Sequence, residues 1–256
     1  MPPLEALLAR DRQIIVVALA SVTLLSWGYL LAGAGMSMPS GGSMMMMPMQ
    51  SWTPGFAALV FLMWWIMMIA MMLPSAAPAI LLFARVNAQM RDAGKAFVPA
   101  AYFALGYLAV WGVFSALATF AQWWLERAGL LSGMMASTST ALNAALLIAA
   151  GLWQLTPIKH ACLRHCRGPM HFFTGGFRRG TGGALRMGAE HGLFCLGCCW
   201  FLMALLFFGG VMSFVWIGGI ALYVLIEKLA PAGDRVGNIA GVALIGWGGW
   251  LIIAPA

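Results

Sequence analysis

Charge is the scarcest property of this chain. Only 8% of its 256 residues are Asp, Glu, Lys or Arg, where a soluble domain carries about a quarter. Seven acidic side chains against fourteen basic ones leave no extended water-soluble domain to assign. A kinase-type phosphate loop, a dinucleotide fingerprint and ATPase machinery are missing too. Any transport would therefore run passively, or be coupled to a proton or a partner. The five cysteines are odd in number and lack the spacing of a secreted disulfide framework. The haem-attachment pattern C-x2-C-H is absent, because Cys195-Leu-Gly-Cys198 is followed by Cys199. Haem held by one of the four histidines stays open.

What is present is apolar. Hydrophobic residues make up 62% of the chain and the mean hydropathy is +0.90. The apolar runs approach the roughly 20 residues that cross a bilayer, and twelve Trp with fifteen Phe suit lipid contact and interfacial belts. The expected fold class is all-α: a single polytopic bundle of seven spans, at about 14–31, 56–83, 98–124, 138–155, 192–208, 212–225 and 236–253. Pro74 and Pro78 are expected to kink the second. The first run, followed by Ala32-Gly33-Ala34, resembles a signal peptide but exceeds the usual length of the apolar region, so an uncleaved helix is expected. Gly237-x3-Gly241 and Gly246/Gly248/Gly249 are expected to mark close helix packing.

Seven spans sort the positive charge. With loops threaded alternately, residues 1–13, 84–97, 156–191 and 226–235 share one side and carry thirteen of the fourteen Lys and Arg, leaving Arg127 on the other. Basic loops are cytoplasmic, so the N-terminus is expected inside and the C-terminus outside. Topology thus accounts for the formal charge of +7 better than a nucleic-acid partner; the bilayer is the expected partner. Glu227 and Lys228 are expected to snorkel at the inner interface.

The soft donors are grouped. His191, Cys195, Cys198 or Cys199, and Met203 fall along one helical face at i, i+4 and i+7/i+8. Imidazole, thiols and a thioether on one face suit a soft metal or a redox site, although buried cysteine is often a small hydrophobe. In the 156–191 loop, Cys162, His165 and Cys166 share a face if one helical turn forms. Nearby Arg and Lys favour thiolate there. Both groups open toward the cytoplasm, where stable structural disulfides are uncommon. Loop and helix could together supply four ligands for zinc, or fewer for Cu(I). Glu190 is placed to orient His191, or simply to sit at the interface.

Methionine is abundant. The loop 34–54 carries Met36, Met38, Met44, Met45, Met46, Met47 and Met49 with no Lys or Arg. The second span carries Met63, Met67 and Met71 in one row and Met68 and Met72 beside it. Methionine at helical spacing commonly fills a core, but thioethers also select Cu(I). A graded path, from outer methionines through Met67 and Met71 to Cys195–Cys199 and then Cys162/Cys166, would suit inward handling of Cu(I).

The strings Ala70-Met-Met-Leu-Pro74-Ser75, Gln154-Leu-Thr-Pro157-x-Lys159-x2-Cys162-x3-Cys166-Arg167-x-Pro169, Gly183-Ala-x-Arg-Met-Gly188-x2-His191-Gly192 and Cys195-x-Gly-Cys198-Cys199-Trp200 resemble a family of bacterial integral membrane proteins known as a domain of unknown function and described as predicted metal-binding. The resemblance covers about residues 56–229. It implies a bacterial inner-membrane protein with Cys162, Cys166, His191, Cys195, Cys198 and Cys199 as ligand candidates, and no established reaction. The expected function is therefore Cu(I) binding, transfer or transport, without catalysis, with a metallochaperone or a larger membrane complex as partner. A transmembrane thiol–disulfide relay, or a metal- or haem-binding accessory subunit of a larger membrane complex, are the alternatives.

Overall fold

The computed structural model describes residues 2–34, 51–92, 98–132, 135–168 and 177–254. The Met-rich loop expected to face outward lies almost wholly outside the described residues. Apart from one antiparallel bridge between Leu131 and Ser137, the described elements are helices: α1 (Pro2–Leu31), α2 (Pro54–Asp92), α3 (Ala100–Arg127), α4 (Thr140–Gln154), α5 (Pro157–Arg167), α6 (Gly180–Ala204), the single turn α7 (Leu206–Gly209), α8 (Phe214–Leu229) and α9 (Gly233–Ile253).

The apolar runs become helices where hydropathy places them. Five are long and apolar enough to cross a membrane: Arg12–Leu31, Pro54–Ala88, Ala100–Arg127, Gly180–Gly209 and Gly233–Ile253. A sixth is added if α4 and α5, bent by 64° at their junction, count as one. With 15 and 16 residues, α4 and α8 are shorter than the roughly 20 residues of a full crossing. Proline does not interrupt α2, which runs on through both Pro74 and Pro78.

The apolar windows of α2 and α6 are half buried and form the centre, whereas α1 and α9 lie at the periphery. The broadest helix pairs are α3 with α6 and α4 with α9; α5 leans on α6, and α8 on α2. Both broad seams depend on missing side chains. A Cβ on Gly188 would stand 1.9 Å from the Phe103 carbonyl oxygen, and one on Gly106 2.0 Å from that of Leu185. In the other seam Gly151 and Gly241 face each other's carbonyls. Close packing therefore holds for Gly241 and Gly248, while Gly246 and Gly249 face open space.

Two expectations need correction. The helix of the fifth expected span, α6, begins at Gly180, not near 192, so residues 180–191 are helix rather than loop. Polar residues that interrupt the hydropathy still form helical surface: Arg186 and Glu190 pair across one turn, and Arg178 reaches Glu190 at 2.9 Å. Glu227 and Lys228 do not snorkel. Both are buried inside α8, because each has a partner on another helix.

Candidate functional site

Cys195, Cys198 and Cys199 sit at i, i+3 and i+4 on the buried face of α6. The Cys198 and Cys199 thiols donate back to the Cys195 carbonyl at 3.1 and 3.0 Å. Cys195 instead points its sulfur between three other helices. The Tyr107 hydroxyl of α3 lies 3.1 Å from it, and the Lys228 ammonium of α8 donates to it at 2.9 Å. Lys228 also reaches the Ser75 hydroxyl of α2 at 3.2 Å.

Pro74 and Pro78 lie in this part of α2. Each removes a backbone N–H from the helix ladder. Beside them the Met72 carbonyl accepts from the Ser75 hydroxyl at 2.9 Å and from Tyr107 at 3.1 Å. The Met72 thioether lies 3.8 Å from the Cys199 thiol. It is therefore Met72, from the second methionine row, whose sulfur contacts a cysteine of α6. Met67, Met71 and Met203 are buried in the same core.

The 156–191 segment does form the expected helical turn, extended to the eleven residues of α5. Thr156 caps it by accepting from the Lys159 amide, and Pro157 opens it, a favourable pairing at a helix start. Cys162 lies over α6 where Gly197 has no side chain; a Cβ there would stand 2.9 Å from its sulfur. Burial, and next the nearby Cys198, push the Cys162 thiol up from its ordinary value. One turn on, Cys166 lies on the same side of α5; interaction with Cys195 and Cys198, and then burial, push its thiol well above its ordinary value. The two cysteine groups thus meet. His165 is on the outward side, stacked on Phe194 with ring centroids 4.2 Å apart, its Nδ1 3.0 Å from the Ala161 oxygen. His191 is buried one turn before Cys195, its ring 5.9 Å from that of Tyr107. Glu190, the expected partner for His191, is paired with Arg178 and Arg186.

An ion pair closes this end of the molecule. Lys159 of α5 and Glu227 of α8, both with fully buried side chains, pair directly, and Tyr223 donates to the same carboxylate oxygen at 3.2 Å. Gly237 of α9 leaves room for the pair, since a Cβ there would stand 2.6 Å from the carboxylate. Arg167 adds bonds to the carbonyls of Ala230 and Pro231 at 2.5 and 2.7 Å.

At the opposite ends of α2 and α3 a second polar chain forms. Trp64 donates to Gln122, Gln122 to Glu126 at 2.9 Å, and Trp52 to the other Glu126 oxygen at 2.7 Å. The Gln122 amide also reaches the Met135 sulfur at 3.2 Å. Met135 holds a positive φ of 56°.

Among the described residues, no three His, Cys, Asp or Glu side chains are arranged to hold a metal ion. The donor chemistry is instead thiol pairs with a thioether beside them, a set that suits a soft ion of low coordination number. Tyr107 stands in no motif, Ser75 and Lys159 stand only within the motif strings, and Lys228 is expected at the interface rather than inside. The Glu227-Lys228 pair at the end of an apolar run was the available signal, because ionisable residues at membrane depth are functional candidates by default.

A family model described as PpoB2, copper chaperone, matches residues 61–251. That stretch contains every cysteine and the methionine rows of α2, and leaves out the Met-rich loop. No curated protein and no solved structure matches the chain.

Proposed function

Because the chain belongs to the PpoB2 copper chaperone family, we propose that it is an inner-membrane Cu(I) carrier that takes the ion from the methionine side and delivers it to the cytoplasmic side. Copper is its cargo. One observation supports this most: the Met72 sulfur of α2 lies 3.8 Å from the Cys199 thiol of α6, and Cys162 of α5 lies over Gly197 on the same helix. Thioethers are neutral, weaker ligands that tolerate an oxidising compartment. Thiolates bind Cu(I) more strongly. A path from Met135 and the α2 methionines to Cys199, then to Cys195/Cys198 and out through Cys166 and Cys162, descends in free energy toward the cytoplasm. Arg164 and Arg167 beside that exit suit an electronegative acceptor, such as a soluble metallochaperone.

In this reading the seven-span topology, with the N-terminus inside, is kept. The short helices α4 and α8 are flanked by α5 and by the Glu227/Lys228 contacts, which satisfy polar groups at membrane depth. Ligand candidates are Cys195, Cys198 and Cys166, with Cys199, Cys162 and Met72 adjacent. His191, His165, Met67, Met71 and Met203 are candidates of the same path.

Protein purified in detergent under reducing conditions and loaded with Cu(I) is expected to hold near-stoichiometric copper, and Cys195→Ser/Cys198→Ser to hold less than a tenth of it. Copper unchanged in the double variant would overturn the assignment. Zinc retained through dialysis would make the site structural. The approach of Cys166 to Cys195 and Cys198 also suits a thiol–disulfide relay to a partner. That second reading predicts a trapped mixed disulfide in a single Cys→Ser variant and full activity in metal-free protein.

A further inference from the structure

We infer that Lys228 sets the charge selectivity of the thiol site, favouring a monovalent soft ion, Cu(I) or Ag(I), over a divalent one such as Zn(II). The inference rests on the copper-carrier reading and adds the device that keeps the commoner zinc out.

Glu227 and Lys228 are consecutive on α8, so their side chains leave the helix about 100° apart. Glu227 turns to Lys159, and the two cancel each other. Lys228 turns the other way, into a pocket of neutral groups: the Ser75 hydroxyl at 3.2 Å and the Cys195 sulfur at 2.9 Å. The Tyr107 hydroxyl, 3.1 Å away, is a further polar neighbour of that sulfur. Among the hydrogen bonds and ion pairs of the described residues, none joins Lys228 to a carboxylate. The buried ammonium is therefore balanced only by what happens at the thiols.

Ligand number then fixes the arithmetic. At the Cys195/Cys198 step of the path the ion is held by two thiolates, a low coordination number that Cu(I) accepts. Two thiolates with Cu(I) carry one net negative charge, and the ammonium brings the assembly to neutrality. Two thiolates with Zn(II) are already neutral, and the ammonium leaves one unmatched positive charge in the protein interior. Burying an unpaired charge is costly. Zinc's preference for four ligands acts in the same direction, but that preference does not depend on Lys228. Charge and ligand number can therefore be separated by changing the lysine alone.

The experiment uses the full chain in detergent under reducing conditions, as wild type, Lys228→Met, Lys228→Gln and Lys228→Arg. Ag(I) and Cu(I) are competed against Zn(II), and the ratio of monovalent to divalent affinities is measured. Elution as a single species and tryptophan fluorescence identify folded variants; Lys228→Gln, which keeps a donor for Ser75, replaces Lys228→Met if the latter does not fold. Removing the charge is expected to shift the ratio toward Zn(II) by roughly a hundredfold to a thousandfold, the range for one unit charge about 4–6 Å away at an effective dielectric near 20. Lys228→Arg should keep the wild-type ratio. A neutral variant that binds Cu(I) and Zn(II) in the wild-type ratio would overturn the inference and leave the carrier reading intact. A wild-type protein that binds neither Cu(I) nor Ag(I) overturns the carrier reading itself, before any variant is compared.

Discussion

Lys159→Met is expected to lower stability by about 3–5 kcal/mol, the usual effect of removing one partner from a buried ion pair. Detergent-solubilised protein unfolded by heat or denaturant would register it. The size follows from what remains. Both side chains are fully buried, and one oxygen of Glu227, Oε2, has no hydrogen-bond partner even with lysine present. Without Lys159 the other oxygen keeps only Tyr223, at 3.2 Å. An unmatched carboxylate in that interior must take up a proton or draw in water. Lys159→Met/Glu227→Leu should recover most of the loss, since an apolar pair of similar volume often matches or exceeds a buried ion pair. A double variant as unstable as the single would mean the lysine acts through packing alone.

The same variant has a second readout. Lys159, Cys162 and Cys166 lie on one side of α5, so the ion pair to α8 helps hold the loop thiols over α6. Oxidative crosslinking between Cys166 and Cys198, tested with the other cysteines replaced by Ser, should be efficient with Lys159 present and weak in Lys159→Met. Arg167 and its bonds to the Ala230 and Pro231 carbonyls form a second clasp. Loss of crosslinking should accordingly be partial with Lys159→Met alone and near complete with Arg167→Ala added.

The helices were legible where hydropathy and local chemistry agree. The fourth expected span, 138–155, matches α4 because Ser139 caps its start and Pro157 lies just beyond its end. The first three also match in their apolar parts, but α2 continues to Asp92, because an α-helix does not end where its sequence turns polar. For the same reason α6 starts at Gly180, ahead of its apolar run. The site was half legible. Spacing put Cys195, Cys198 and Cys199 on one face and grouped Cys162 with Cys166, since both inferences need only 3.6 residues per turn. That Lys228 touches Cys195, or that Met72 rather than Met67 contacts Cys199, depends on how α8 and α2 pack against α6. No periodicity within a single helix carries that information. The fate of Glu227 and Lys228 shows the limit well: composition marks them as polar, and only the opposing Lys159, Ser75 and Cys195 make them interior.

Gly188→Ala is expected to destabilise by about 1–3 kcal/mol, the range for overpacking, and Gly188→Val by more. In an open helix the same change would stabilise by up to about 1 kcal/mol, because alanine has less backbone entropy to lose. The sign reverses here because the added methyl would stand 1.9 Å from the Phe103 carbonyl oxygen, and main chain cannot swing aside as a flexible side chain does. Gly246→Ala supplies the control: it lies inside α9 with nothing within 4 Å of its Cβ position and should be neutral or mildly stabilising. The seam also bears on the site. Phe103 precedes Tyr107 by one turn of α3, as Gly188 precedes Cys195 by two turns of α6, so forcing the helices apart draws the Tyr107 hydroxyl from the Cys195 sulfur, now 3.1 Å away. Copper affinity should therefore fall in Gly188→Val even in the fraction that folds. It should stay at the wild-type level in Gly246→Ala. Equal affinities in the two variants would mean that the α3–α6 seam supports the fold without positioning the thiols.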